Sequence, residues 1–155
     1  MSRLSKLLST LASWAPLLGL CGGCSDAPVP AEELIGTWMP DGRSAHLIKA
    51  ENDRGRCRIS LARNGRFSAT VPDYLIYPPS TCSWRMVQGD GEWTLGYNEY
   101  ESTVKLWFVG LEGRRGRRGA NELRVLHHGD GYALRFWLRE PGLEEFGFVK
   151  ETASR

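Results

Sequence analysis

The side chains best suited to acid–base catalysis or metal binding are three histidines and one pair of neighbouring glutamates. His127 and His128 are adjacent, and adjacent residues of a β-strand point to opposite faces, so they cannot readily share one metal ion. His46 stands alone on a predicted early strand, and Glu144 and Glu145 fit a solvated turn. No Gly-x-Ser-x-Gly nucleophile elbow occurs. We therefore predict no catalytic residue, no metal site and no cofactor, and a protein that is not an enzyme.

The most conspicuous charge run consists of arginines set among glycines, at Arg114, Arg115, Arg117 and Arg118. Clustered arginines can bind lipid headgroups, a phosphate-bearing wall polymer or nucleic acid. No aromatic residues that could stack on bases are interleaved with them, so we expect no nucleic-acid partner. A solvated hairpin loop is the simplest interpretation. If the arginines have a function, contact with a membrane surface is the one we favour.

Residues 1–23 predict export from the cytoplasm. Arg3 and Lys6 give a positively charged start, an apolar run extends from Leu7 to Leu20, and small residues follow it. A basic, then an apolar, then a small-residue region is typical of a secretory signal peptide. The apolar run is shorter than the ~20 residues that a membrane-spanning helix needs, so a retained anchor is the weakest alternative.

The end of this segment, Cys21-Gly22-Gly23-Cys24, resembles the cleavage site of a bacterial lipoprotein signal. The resemblance implies that a cysteine after a small residue receives a diacylglyceryl group, with acyl chains such as palmitate, and becomes the new N-terminus. Gly23 directly precedes Cys24, whereas the larger Leu20 precedes Cys21, so Cys24 is the predicted lipidation site and Cys21 the alternative. Two acyl chains suffice for stable anchoring. The predicted location is the extracytoplasmic side of the cell membrane, and plain secretion is the alternative.

The chain divides into four predicted segments: a signal peptide (1–23), a proline-containing tether (24–33), one domain (34–150) and a short C-terminal tail (151–155). The domain is long enough to bury a core of its own. Arg3 and Lys6 account for the formal net charge of +2, so the exported chain is formally neutral. Neutrality provides no general attraction to nucleic acid or to an acidic polymer.

Cys57 and Cys82 are the two cysteines of the predicted domain. Outside the cytoplasm they could form a disulfide, which would stabilise the fold by roughly 2–4 kcal/mol. Two buried free thiols are the alternative. A metal site is not predicted here, because no Cys-x-x-Cys pair or His–Cys cluster lies beside them.

Short stretches of alternating apolar and polar residues dominate the domain and predict β-strands. The clearest stretch is 131–139, where Leu134 and Phe136 alternate with Arg135 and Trp137. The same alternation runs through further segments at 57–61, 67–71, 104–108 and 123–125. Gly-containing turns separate the stretches, at 64–65, 89–91 and 129–131. The segment after Pro72 is expected to hold a short helical turn over one mouth.

About eight strands, joined mostly in sequence order, predict an all-β fold. An antiparallel sheet of that size can close into a small up-and-down β-barrel, which removes exposed edges.

The first predicted strand contains Gly36-Thr37-Trp38, which resembles the Gly-x-Trp opening of the lipocalin and avidin-like barrels. In that family the tryptophan packs across the bottom of the barrel, and the glycine permits close strand packing. The resemblance implies that Gly36 and Trp38 lie at the barrel base or a ligand site. It also implies an arginine near the last strand, Arg139 or Arg135, stacked on the opening tryptophan.

Later segments resemble small bacterial lipoproteins of a lipocalin-like kind. They include a second Gly-x-Trp with Trp93 and a closing strand with Phe146-Gly147-Phe148. The resemblance covers most of residues 34–150. It implies that Trp93, like Trp38, belongs to the base or to a ligand site.

Trp107 and Trp137 lie on strand faces opposite to Phe108 and Phe136, so at least one member of each pair must point outwards. Outward aromatics predict a contact patch for a protein partner. We therefore carry two functions. The first is a lipid-anchored, non-enzymatic envelope protein that binds a small apolar ligand in its barrel. The alternative is a filled barrel whose outer aromatics and arginines contact an unknown protein or the membrane surface; an envelope hydrolase ranks below both.

Overall fold

The computed structural model of the protein describes residues 28–77, 84–97, 100–112, 114–115, 120–140 and 143–152. Most of this backbone is extended, in the strands β1 (Gly36–Pro40), β2 (Arg58–Leu61), β3 (Arg66–Pro72), β4 (Met86–Tyr97), β5 (Ser102–Leu111), β6 (Arg114–Arg115), β7 (Ala120–His128), β8 (Gly131–Glu140) and β9 (Leu143–Lys150). The helices are short: α1 (Ala31–Leu34), α2 (Gly42–Leu47), α3 (Glu51–Arg54) and a 3₁₀ turn (Asp73–Leu75).

Eight of the strands close into an antiparallel up-and-down barrel, which confirms the predicted fold class. Each strand pairs with the next along the chain, and β1 pairs with both β2 and β9. The short β6 adds only to the end of β5. Closure satisfies the backbone of every barrel strand without leaving an open sheet edge.

The up-and-down order gives the barrel two ends with different connections. At the lower end β1 begins, β9 ends, and the β2–β3, β4–β5 and β7–β8 hairpins turn. At the upper end lie the longer connections, which carry α2, α3 and the 3₁₀ turn. The predicted helical turn after Pro72 is confirmed by the 3₁₀ turn.

The predicted alternation places apolar residues inside and polar ones outside. Val104, Leu106 and Phe108 on β5 are all buried, as are Leu134 and Phe136 on β8. The same holds for the inward residues of β2 and β3, at Ile59, Leu61, Phe67, Ala69 and Val71. A period of two residues therefore identified the core side of these strands correctly.

The predicted turn at Gly89-Asp90-Gly91 is wrong, because these residues lie inside β4. The register between β4 and β5 shifts between Asp90 and Gly91, which marks a β-bulge. A Cβ atom at Gly89 would come within 2.7 Å of the Phe108 ring, so the glycine makes room for that ring in the interior. Here glycine marks close packing rather than a change of direction.

Two local predictions need correction. His46 lies in α2 instead of on a strand, because the Asp41 carboxylate caps the helix by accepting from the Ser44 N–H. The hairpin at Asn64-Gly65 is confirmed, but only Gly65 has a positive φ, at +75°. The Asn64 side chain instead accepts from the Arg66 N–H at 3.1 Å.

The space around Gly89 yields a stability prediction. We expect Gly89→Ala to destabilise the barrel by about 1–3 kcal/mol, because the new methyl group must displace the Phe108 ring in a filled interior. Gly42→Ala is the matched control, since nothing lies within 4 Å of a Cβ at this exposed position on α2. It should be neutral or slightly stabilising. Urea unfolding midpoints measure both, and equal midpoints for the two variants would contradict the packing account.

Candidate functional site

The barrel interior, which is where a carrier would hold its ligand, is filled by the protein's own side chains. Trp38, Phe146 and Phe148 have no solvent exposure, and Phe108 has 2%. Phe108 packs edge-to-face on Phe67, with ring centroids 5.0 Å apart. An eight-stranded barrel has an interior that side chains of this size can fill. The described core therefore resembles a packed centre rather than a lined cavity.

The upper end is covered by α2 and by the segment around the 3₁₀ turn. Ile48, directly after α2, and Leu75 are both buried. The Tyr74 and Trp84 rings stack at 4.8 Å, and Trp84 also lies 6.2 Å from Phe146 inside the barrel. The Asn121 side chain on β7 donates to the Leu75 carbonyl at 3.1 Å, which ties the 3₁₀ turn across the mouth.

The lower end is covered by residues 29–34, which lie in the predicted tether. Leu34 has no exposure, and Val29 is 7% exposed. The Trp38 indole N–H donates to the Leu34 carbonyl at 2.9 Å, and the Val29 N–H donates to the Ser102 hydroxyl at 3.3 Å. From Val29 onwards the chain is thus packed on the barrel. Residues 24–27 of the predicted tether lie outside the described ranges.

The predicted base residues occupy the lower end. Gly36 has a φ of +137°, which a residue with a Cβ rarely adopts. Trp38 and Trp93 are buried, and the Trp93 indole N–H donates to the Ala62 carbonyl at 2.8 Å. Both indole donors already bond to backbone carbonyls, an arrangement that fits a structural base better than a ligand site.

The cation beside Trp38 is Lys150, not the arginine that the resemblance implied. The Lys150 ammonium lies 6.0 Å from the Trp38 ring centroid and donates to the Glu33 carbonyl at 2.8 Å. Arg135 instead pairs with Asp41. The backbone of Arg139 lies on β8.

Asp41 organises the connection between α2 and the last strands. Its carboxylate accepts from the Ser44 N–H at 2.7 Å and from the Arg135 guanidinium. Its own N–H donates to the Gly147 carbonyl at 2.9 Å, and the Ser44 hydroxyl accepts from the Gly147 N–H at 2.7 Å. Burial alone would raise the pKa of Asp41, but the hydrogen bonds from Ser44 and Arg135 outweigh it and lower that pKa.

Cys57 is a buried free thiol at the start of β2, and burial raises its pKa to about 12. A thiol with such a pKa is almost never a thiolate, so it is a poor nucleophile in the folded state. Cys82 lies outside the described residues, so the Cys57–Cys82 disulfide stays a prediction. The predicted lipidation residues Cys24 and Cys21 also lie outside them.

The predicted surface residues lie on the upper half of the barrel wall. Trp137 is 61% exposed on β8, and Trp107 is partly buried on β5. Only β7 separates these two strands. Arg114 and Arg115 form β6 beside the end of β5, whereas Arg117 and Arg118 lie outside the described residues.

The histidines do not form a site. His127 and His128 are both exposed at the lower end of β7, where the His127 ring lies 5.0 Å from that of Tyr132. His46 is exposed on α2. Within the described residues, no three or more His, Cys, Asp or Glu side chains come together to hold a metal ion.

Among the described residues, three grooves lie at the surface of the barrel. One, of about 520 Å³, runs over the outer face of β3, β4 and β5 and is lined by polar residues that include Thr70, Gln88 and Asp90. The other two, of about 400 and 430 Å³, lie at the lower end on either side of residues 29–34. All three open to solvent at the surface, so none provides an enclosed apolar chamber.

Comparisons with protein families, with curated proteins and with solved structures gave no match for this chain. The closed eight-stranded topology is consistent with a lipocalin-like fold. No helix in the described part of the chain is long and apolar enough to span a bilayer. Function must therefore be argued from the geometry of the barrel and from the sequence motifs.

The Asp41 contacts predict a pH-dependent contribution to stability. The pKa of Asp41 is lowered in the folded state, so its stabilising effect is present above the unfolded value of about 3.9 and is lost as the pH falls below it. We expect Asp41→Asn to cost about 1–2 kcal/mol at pH 7 and less at pH 3. Asp53→Asn, which removes a surface ion pair with Arg56, is the control and should cost under about 0.5 kcal/mol. Urea unfolding midpoints of both variants and the wild type are measured at pH 7 and at pH 3. If the midpoint difference between Asp41→Asn and the wild type is the same at both pH values, the role of ionisation is contradicted.

Proposed function

We propose that this protein is a lipid-anchored envelope protein whose barrel is a filled interaction domain. The filled interior carries this proposal, because Trp38, Phe108, Phe146 and Phe148 occupy the space that an apolar ligand would need. Both mouths are also covered, by α2 and the 3₁₀ turn above and by residues 29–34 below. A domain without room inside acts through its outer surface.

The anchor is supported by the sequence of the first segment. Arg3 and Lys6, the apolar run to Leu20 and the Gly23-Cys24 pair together resemble a bacterial lipoprotein signal. On this proposal the diacylglyceryl group on Cys24 holds the domain at the extracytoplasmic face of a membrane. We also propose a lipocalin-like relationship, which is supported by the Gly-x-Trp motif and by the closed barrel.

The favoured contact surface is the wall formed by β5, β7 and β8, because it exposes a large aromatic side chain. Trp137 lies on a rigid strand with 61% of its surface in water, and Trp107 lies two strands away on the same outer face. Tryptophan is enriched at the energetic centres of protein interfaces. Glu145, paired with Trp137 across the strands, adds charge at the edge of this wall.

The carrier function remains the second candidate, supported by the aromatic residues of the barrel and by the lipocalin-like motif. It would require the covering segments to move and the core to repack around a ligand. Native mass spectra of the protein purified from cell envelopes test it directly. We expect a mass without bound cargo; a retained apolar molecule that is lost on denaturation would favour the carrier instead.

The lipid anchor is tested by the intact mass of the protein made in a bacterium that processes lipoproteins. We expect a mature N-terminus at Cys24 with a diacylglyceryl group and incorporation of labelled palmitate. Cys24→Ala should abolish both. Cys21→Ala is the matched control and should leave them unchanged. An unlipidated N-terminus, at Ser25 or elsewhere, would overturn the anchor.

The contact wall is tested by crosslinking in intact cells. A photoreactive residue replaces Trp137, and the control position is Ser68, an exposed residue of β3 on the opposite wall. We expect a discrete adduct from position 137 but none from position 68. Trp107→Ser should reduce the adduct by about tenfold, because truncating an interface tryptophan commonly costs more than 1 kcal/mol. Equal crosslinking from both positions would overturn the assignment of this wall.

A further inference from the structure

The described chain begins at the lower end of the barrel, next to two exposed tyrosines. Val29 bonds to Ser102 and lines the same groove as Tyr97 and Tyr100. Tyr97, the last residue of β4, is 50% exposed, and Tyr100, on the connection to β5, is 86% exposed. Pro28, where the described chain begins, therefore lies at the tyrosine-bearing end of the barrel.

The chain between the proposed anchor and the barrel is short. Cys24 precedes Pro28 by four residues, and a fully extended chain of that length spans at most about 14 Å. A lipidated Cys24 lies at the level of the lipid headgroups. The lower end of the barrel therefore cannot stand far from the membrane surface, whatever the conformation of residues 25–27.

Tyrosine suits this position. Its ring is apolar and its hydroxyl is polar, and tyrosine and tryptophan are enriched where a protein crosses the headgroup region. Four large apolar side chains are exposed in the described part of the chain. Tyr97 and Tyr100 are at the lower end, whereas Val109 and Trp137 lie on the barrel wall. The exposed tyrosines are therefore at the end where the described chain begins.

Charge at this end is mixed, so it provides no polybasic attraction to lipid. Arg124 pairs with Glu101, and the Lys150 ammonium bonds to the Glu33 carbonyl. Asp130 adds a further acid beside His128. An attraction of the lower end to a bilayer must come from its aromatic side chains.

We propose that the lower end of the barrel is a membrane-contact surface, in which Tyr97 and Tyr100 enter the headgroup region of a phospholipid bilayer beside the lipidated Cys24. This inference rests on the proposed lipid anchor. It sets the orientation of the domain: the upper end, with β6, faces away from the membrane at a distance of about 25 Å, the height of strands such as β5. Strand β6, formed by Arg114 and Arg115, then lies at the end turned away from the membrane that holds the anchor.

The test uses hydroxyl-radical footprinting of the full-length lipoprotein in vesicles of phosphatidylethanolamine and phosphatidylglycerol. The Cys24→Ala protein in solution supplies the reference rates. We expect oxidation of Tyr97 and Tyr100 to fall about fivefold in vesicles, while oxidation of the wall residue Trp137 changes little. Unchanged tyrosine oxidation would overturn the membrane-contact surface.

Intact mass separates this failure from failure of the anchor. If Cys24 carries no lipid and the protein does not sediment with vesicles, the anchor itself is wrong and the contact surface falls with it. If the lipid is present but the tyrosines oxidise as in solution, the anchor stands and only the contact surface is wrong.

A double variant tests whether the tyrosines cause the contact. In vesicles, Tyr97→Ser with Tyr100→Ser should raise the oxidation of His127 and His128 at the same end by about threefold, because the barrel is no longer held against the bilayer. Val109→Ser, at an exposed wall position on β5, is the matched control and should leave that oxidation unchanged. If high salt alone removes the protection of His127 and His128 in the wild-type protein, charge holds the barrel to the bilayer and the aromatic mechanism is overturned.

Discussion

The hydrogen bond from the Trp38 indole to the Leu34 carbonyl joins the entry of the chain to the floor of the barrel. Because Trp38 has no solvent exposure, its N–H must find a partner inside the protein, and residues 29–34 provide it. The bond thereby holds this segment across the lower mouth. Closure of the barrel floor by residues 29–34 depends on this contact.

A filled barrel changes what the lipocalin-like motif means for function. In a carrier, small inward residues leave a chamber, whereas here Phe146 packs against Phe148 and Phe108 against Phe67 in the interior. Glycine at position 89 accommodates one of these rings rather than a ligand. The packed interior and the exposed aromatic side chains of the wall together favour a domain that presents Trp137 to a partner.

Local sequence patterns predicted the strands because burial on a closed sheet imposes a two-residue period, as in Val104, Leu106 and Phe108. They missed α2, whose six residues are too few for a helical period and whose clearest signal is the capping Asp41. They predicted a turn at 89–91 because glycine is common both in turns and at sites of close packing, and the sequence does not distinguish the two. Lys150 beside Trp38 and Asp41 beside Arg135 are far apart in sequence from their partners, and only the folded topology brings them together.

The pairing of β1 with β9 has a consequence for the order of events during biogenesis. Residues 38–40 are synthesised well before their partners at 148–150. The ring cannot close until residues 148–150 are available, so closure of the barrel is a long-range step that comes late in folding. Cys57, directly before β2, is buried only in the folded barrel. Its thiol is therefore shielded from solvent only after β1 and β9 have paired and the ring is closed.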